Sequence, residues 1–153
     1  MSALPSLSLS ANGISPDGGV RLVESLTLCG HLEEMRLSYN ALRNSTALKL
    51  AGALPPRLRV LRLQASHLGP EGALQLSRAL DGRPHMEEVS LVYCEMDDQT
   101  ATPLLASLEL CPALEEILLS WNLLGDESAA ELARVLPKLG RLKRVEYELG
   151  SPK

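Results

Sequence analysis

The sequence of 153 residues has no phenylalanine and a single tryptophan, so aromatic side chains cannot fill its interior. Leucine is the main apolar residue instead, with 34 copies. A mixed core normally draws on several side-chain sizes, including aromatic ones. A core drawn largely from one residue type indicates a buried position that recurs along the chain, so an internal repeat is the first expectation.

An excess of basic residues is also missing, because 15 lysines and arginines stand against 19 acidic residues, for a net charge of -4. This balance argues against direct nucleic-acid binding, since a phosphate backbone requires a basic stripe.

The absence of a run of 18 apolar residues predicts no transmembrane helix and no membrane partner. The first ten residues lack the basic and apolar regions of a secretory signal. Three cysteines, an odd number, favour a reducing compartment over a disulfide framework.

Apolar residues recur along the chain in the pattern L-x-x-L-x-L-x-x-N-x-L, at intervals of 26 to 28 residues. Copies begin at Leu4, Leu32, Leu58, Met86 and Leu114, and a truncated copy begins at Leu142. In residues 114–141, alternating apolar side chains predict a strand, and Leu132, Val135 and Leu136 have the spacing of one buried helix face. Such a unit buries its apolar side only against neighbours, so residues 1–153 are predicted to form a single stacked domain.

Strands that all run one way, each followed by a return helix, predict an α/β solenoid with the parallel sheet on the concave face and the helices on the convex face. Proline, glycine and acidic residues mark three of the predicted helix starts. These are Ser15-Pro16-Asp17, Gly69-Pro70-Glu71 and Gly125-Asp126-Glu127.

The ninth position of the pattern is polar and lies in the turn that follows each strand. It holds Asn12, Asn40, Ser66, Cys94, Asn122 and Gly150. An asparagine there is expected to bind backbone groups of its own turn and of the adjacent repeat through both ends of its amide. Ser66 and Cys94 are expected to do part of this, and Gly150 none of it.

With a period of 28, a long helix in each unit and Asn, Cys or Ser at position nine, the repeats resemble the ribonuclease-inhibitor-like class of leucine-rich repeats over nearly the whole chain. Residues 111–145, CPALEEILLSWNLLGDESAAELARVLPKLGRLKRV, more narrowly resemble the C-terminal repeat region of NOD-like receptors, most of all the CARD-containing type that acts as MHC class I transactivator. Those receptors also carry a nucleotide-binding NACHT domain. The present sequence has no G-x-x-x-x-G-K-[ST] loop, so no cofactor is expected.

The resemblance implies a non-catalytic protein–protein interaction or autoinhibitory module in innate immune signalling and regulation of MHC class I gene transcription. It implies protein partners, whose identity it does not give, and a location in the cytoplasm and also in the nucleus. The alternative is an enzyme regulator, either a ribonuclease-inhibitor-like or a GTPase-activating horseshoe. Since both ends lack a polar cap and a sixth repeat only begins, the chain is expected to be a fragment or splice form of a larger receptor.

A candidate partner-binding surface lies on the outward positions three, five and eight of the pattern. It consists of Glu34, Arg36, Tyr39, Arg62, Glu88, Tyr93, Glu116 and Trp121. Adjacent strands are about 4.8 Å apart, so Tyr93 and Trp121 are expected to be neighbours, with Tyr39 two strands away from Tyr93. Exposed aromatic residues beside acidic ones are typical of protein-binding surfaces. The alternative is that the aromatics cover the turns and the charges form a solvated, salt-bridged face, with Arg36 and Arg62 paired to Glu34 or Glu88.

No residue pattern favours catalysis or metal binding. Glu88 and Glu116 could approach to about 5 Å, the separation used by retaining glycosidases. However, a shallow open face gives neither a pocket nor exclusion of water, so we expect no enzyme activity. The three histidines lie too far apart along the solenoid to share a metal ion, and the cysteines are expected to be structural.

Overall fold

The computed structural model describes residues 3–148, in which short strands and helices alternate along the chain. The strands are β1 Ser6–Ser8, β2 Glu34–Arg36, β3 Val60–Arg62, β4 Glu88–Ser90, β5 Glu116–Leu118 and β6 Arg144–Glu146. The α-helices are α1 Pro16–Leu26, α2 Asn44–Ala51, α3 Gly69–Leu80, α4 Asp98–Leu108 and α5 Asp126–Val135. A single turn of 3-10 helix, Leu136–Lys138, follows α5.

The six strands form one parallel sheet in sequence order, which confirms the predicted solenoid. Equal positions of successive repeats pair with each other, as in Met35 with Leu61 and Val89 with Ile117. Consecutive helices pack side by side on the other face of the sheet. Packed helices need about 8–10 Å each, whereas strands need about 4.8 Å. The stack therefore curves, and the sheet lies on its concave side.

The core is a set of aliphatic columns between the sheet and the helices. The sixth pattern position shows this best, since Leu37, Leu63, Leu91 and Leu119 are all at most 1% exposed. Each of these leucines meets the same surroundings as its counterpart one repeat away. A repeated site selects one side-chain size, which explains why the chain needs no phenylalanine.

The predicted buried face of α5 is wrong at one residue. Val135 is fully buried and Leu132 is half-buried, but Leu136 is 38% exposed. The α-helix ends at Val135, and Leu136 begins the tighter turn that contains Pro137. This change of helical geometry turns the Leu136 side chain away from the face that Val135 occupies. No further helix among the described residues packs beyond α5 to cover it.

The predicted helix starts are confirmed, and some of the caps come from the neighbouring repeat. Ser15 caps its own helix, because its hydroxyl accepts a hydrogen bond from the backbone N–H of Gly18 at 3.1 Å. Asn44 instead accepts from Gly72 in α3 at 2.7 Å. Asp98 accepts from the backbone N–H groups of Gly125 and Ser128 at the start of α5. These side chains stabilise the stacking of repeats as well as the helix ends.

Two of the asparagines at position nine, Asn40 and Asn122, bind as expected. The Asn122 amide oxygen accepts from the backbone N–H groups of Cys94 and Met96 at 2.9 and 3.0 Å. Its amide nitrogen donates to the carbonyls of Leu91 and Leu119. Asn40 makes the equivalent bonds three repeats earlier.

Ser66 and Cys94, which replace asparagine at position nine, differ in the hydrogen bonds that they make. Cys94 does part of the task, because its thiol donates to the carbonyl of Leu63 at 3.1 Å. The expectation for Ser66 is wrong, since its buried hydroxyl finds no hydrogen-bond partner among residues 3–148. The serine side chain is too short to reach the turn of the preceding repeat. Gly150 lies outside the described residues.

Between residues 3 and 148, none of the helices combines the length and the apolar character that a membrane span requires.

Candidate functional site

The predicted charged residues lie on the concave face of the sheet and are largely paired with one another. Glu34, Val60, Glu88 and Glu116 occupy equal positions on adjacent strands, and Arg36 pairs in register with Arg62. Arg36 donates to Glu34 at 2.5 Å, and this bond holds the pKa of the Glu34 carboxyl below its usual range. The salt-bridged face expected as the alternative is therefore present in this half of the sheet.

Arg62 and Glu88 form a pair joined by two hydrogen bonds. Two guanidinium nitrogens of Arg62 donate to both oxygens of the Glu88 carboxylate, at 2.6 and 2.9 Å. The bond to Glu88 raises the pKa of Arg62. Glu88 is only 8% exposed, less than expected for a contact residue, and its role in binding stays a prediction. The guanidinium of Arg62 binds both oxygens of the carboxylate, which leaves little of Glu88 accessible to a partner or to a dyad with Glu116.

Glu116 retains more freedom than Glu88. It is half-buried, and the arginine nearest to it, Arg144, stands 3.8 Å away. Arg144 makes its closer contact with Glu146 on the same strand. The concave face is thus neutralised around β2 to β4 and retains acidic character around β5 and β6.

The three predicted aromatic residues lie on the same rim, at the end of the strands. Tyr39, Tyr93 and Trp121 are 60%, 58% and 52% exposed. Tyr93 and Trp121 occupy adjacent repeats, as the backbone N–H of Tyr93 donates to the carbonyl of Ser120 at 3.0 Å. Tyr39 lies two strands away from Tyr93.

The backbone beneath these aromatics is left-handed, which the sequence did not indicate. Position eight has φ between 55° and 62° in all five repeats, at Ala11, Tyr39, Ala65, Tyr93 and Trp121. This conformation costs a non-glycine residue about 1–2 kcal/mol. A hydrogen bond to the next repeat holds each one in place; Trp121, for example, donates to the carbonyl of Glu148 at 2.8 Å. The aromatic side chains are consequently mounted on a fixed backbone.

The sequence analysis did not identify one exposed apolar residue close to the aromatic residues of position eight. Leu123 is 74% exposed and lies two residues beyond Trp121 in the same turn. The signal was available, because its position holds Gly13, Ala41, His67 and Glu95 in the other repeats. We call Tyr93, Trp121 and Leu123 the rim patch. Its role in binding stays a prediction.

The histidines and cysteines do not assemble into a site. Among residues 3–148, no three His, Cys, Asp or Glu side chains are placed to share a metal ion. His67 contacts Glu95 at 2.9 Å on the rim. Burial raises the pKa of the Cys94 thiol to about 12 and that of Cys111 in the same direction, so both thiols stay protonated and unreactive at neutral pH.

The amino-acid sequence of the chain is similar to those of several known proteins. The chain is 54% identical to Protein NLRC5 of Homo sapiens over 61% of the chain, and 52% identical to that of Mus musculus over 67%. It is 34% identical to the ribonuclease inhibitor of Sus scrofa over 53% of the chain.

The chain is a leucine-rich-repeat region related to NLRC5. This confirms the resemblance to NOD-like receptor repeats, and the similarity to ribonuclease inhibitor agrees with the solenoid. The chain spans only 6–7% of the length of the NLRC5 proteins and 18% of the ribonuclease inhibitor. No protein-family model matches the chain.

Proposed function

We propose that this leucine-rich-repeat region is a non-catalytic protein-binding or autoinhibitory module. The observation that carries the proposal is the rim patch. Monomeric proteins seldom leave large aromatic side chains exposed in adjacent positions without a binding role. Trp and Tyr are also the residues that most often dominate protein interfaces.

The fixed backbone under the patch supports binding further. Because the left-handed residues are held by hydrogen bonds between repeats, Tyr93 and Trp121 lose little backbone freedom when a partner binds. Preorganised anchors of this kind increase affinity by reducing the entropy lost on association. An aromatic residue that only covered its turn would be packed down on it, whereas Tyr93 and Trp121 keep more than half of their surface exposed.

We place the module in innate immune signalling and regulation of MHC class I gene transcription, in the cytoplasm and the nucleus. The similarity to NLRC5 supports this assignment, together with the resemblance of residues 111–145 to NOD-like receptor repeats. The competing function is enzyme regulation. The similarity to ribonuclease inhibitor favours that alternative, although it covers a smaller share of the chain at lower identity.

Affinity capture followed by mass spectrometry tests the proposal. Lysate proteins retained by the wild-type chain are compared with those retained by a Tyr93→Ala/Trp121→Ala variant. Leu28→Ala serves as the matched control, since Leu28 is a 68% exposed apolar residue just beyond the end of α1.

We expect NOD-like receptor pathway proteins to be retained by the wild type and by Leu28→Ala, and lost with the double variant. Retention of a ribonuclease or a small GTPase would favour the enzyme-regulator alternative. Retention that is equal for all three proteins would contradict a binding role for the rim patch.

A further inference from the structure

The ionisable residues are distributed unevenly between the two halves of the solenoid. Residues 3–85 contain 9 Lys and Arg against 6 Asp and Glu, a net charge of +3. Residues 86–148 contain 5 against 13, a net charge of -8. The overall value of -4 conceals this asymmetry. The rim patch lies entirely in the acidic half, whereas the exposed Tyr39 lies in the basic half.

The carboxylates near the patch are less fully paired with cations than those elsewhere on the sheet, so they can accept more hydrogen bonds. Glu95 follows Tyr93 by two residues, with 63% of its side chain exposed and its carboxylate in contact with the ring of His67. Glu148 is exposed, and its carbonyl accepts the N–H of Trp121. Glu116 and Glu146 share one cation, Arg144. By contrast, Arg62 occupies both oxygens of Glu88.

We propose that the rim patch binds an arginine- or lysine-rich segment of another protein, an inference that rests on the proposed binding function. A guanidinium group stacks on the face of Trp121 or Tyr93 and donates to Glu95 or Glu148. The aliphatic part of a neighbouring side chain contacts Leu123. The surrounding negative charge attracts a cationic segment and repels an acidic one, which adds specificity to the apolar contact.

A fluorescence titration of the full chain tests this partner chemistry. Trp121 is the only tryptophan in the sequence, so its emission reports on the patch directly. The probe is a synthetic peptide of about ten residues in which arginine alternates with serine. A matched peptide carries glutamate in place of arginine. The variants are Glu95→Gln/Glu148→Gln and, as a control, Glu24→Gln, whose carboxylate pairs with Lys49 between α1 and α2.

We expect the arginine peptide to quench Trp121 in a saturable way and the glutamate peptide to leave it unchanged. Binding should weaken at least about five-fold in Glu95→Gln/Glu148→Gln and in high salt, and should be unaffected in Glu24→Gln. Equal quenching by both peptides, no saturation at millimolar arginine peptide, or equal affinity of all variants would overturn the inference.

The outcomes separate this inference from the binding function on which it rests. If captured proteins are lost with Tyr93→Ala/Trp121→Ala but retained by Glu95→Gln/Glu148→Gln in high salt, the patch binds a partner that is not cationic. If capture does not depend on the aromatic residues, the binding function itself fails.

Discussion

At the scale of single residues, Asn122 shows how one side chain joins two repeats. Its amide makes four hydrogen bonds, two of them through its oxygen to N–H groups of the preceding turn. The side chain is 4% exposed, so water cannot replace these bonds. Asn12 occupies the same pattern position in the exposed first repeat, and among residues 3–148 its side chain donates only to the carbonyl of Ser10.

Replacing Asn122 with alanine should therefore destabilise the fold strongly. Each buried backbone group that loses its partner costs about 1–3 kcal/mol, so we expect the free energy of unfolding to fall by at least about 3 kcal/mol. Asn12→Ala should cost less than about 1 kcal/mol, because its lost bond is local and exposed. Urea unfolding followed by circular dichroism measures both values. Similar losses in the two variants would contradict the bridging role.

Cys94 makes a pH-dependent prediction at the same scale. Burial raises the folded-state pKa of its thiol to about 12 from an ordinary value of 9.0. Below pH 9 the thiol is protonated in both the folded and the unfolded chain, so it causes no change in stability. Above pH 9 the unfolded chain releases the proton while the folded chain retains it, and the folded state loses stability as pH rises.

We expect the wild type to lose more stability than Cys94→Ser between pH 8 and pH 10, by up to about 1.4 kcal/mol for each pH unit above 9. Comparing the two proteins removes the contribution of lysines and tyrosines, which they share. Urea unfolding at both pH values measures the difference. Identical losses would show that the Cys94 thiol is not shielded from ionisation.

At the scale of elements, the strands and helices follow from the apolar positions that recur in each repeat and can be read directly from the sequence. The pairing of Met35 with Leu61 was predictable because both hold the fourth pattern position. The left-handed backbone at Tyr93 was not, because tyrosine rarely adopts positive φ and no glycine marks the position. The capping of α3 by Asn44 was also hidden, since its partner lies 28 residues further along the chain.

The cap between repeats gives a prediction for α3. Asn44→Ala removes the acceptor of the Gly72 N–H and should lower the free energy of unfolding by about 1 kcal/mol. Ser45→Ala is the matched control, because Ser45 is exposed in the same helix turn and should cost less than about 0.5 kcal/mol. Chemical denaturation measures both. If Asn44→Ala cost no more than the control, the cap would not contribute to stacking.

At the scale of the whole molecule, the solenoid and its sheet were predictable from composition and period alone. The candidate surface was predictable only in part. Trp121 and Tyr93 are exposed in adjacent repeats as expected, but Glu88 is buried under Arg62. Pattern position three defines where the backbone of Glu88 lies and does not reveal which cation reaches its carboxylate. That outcome depends on side-chain packing between adjacent strands, which a repeat pattern does not encode.

The concentration of acidic residues in residues 86–148 also appears only at this scale. In that half, the apolar rim patch and carboxylates with free capacity lie together. In the other half, Arg36 binds the carboxylate of Glu34 and Arg59 binds that of Glu33, and Arg59 also binds Glu87 across the boundary between the two halves. The repeats therefore share one fold while their surfaces differ, and binding is expected at one end of the arc.

The central claim is that the rim patch is the partner-binding surface of this leucine-rich-repeat region. The most direct measurement is the dissociation constant of a captured partner for the wild type, Trp121→Ala and Leu28→Ala, determined by isothermal titration calorimetry. We predict that Trp121→Ala weakens binding at least about ten-fold, as expected for an interface hot spot, while Leu28→Ala stays within about two-fold of wild type. A Trp121→Ala chain that is folded and binds as tightly as the wild type would contradict the claim.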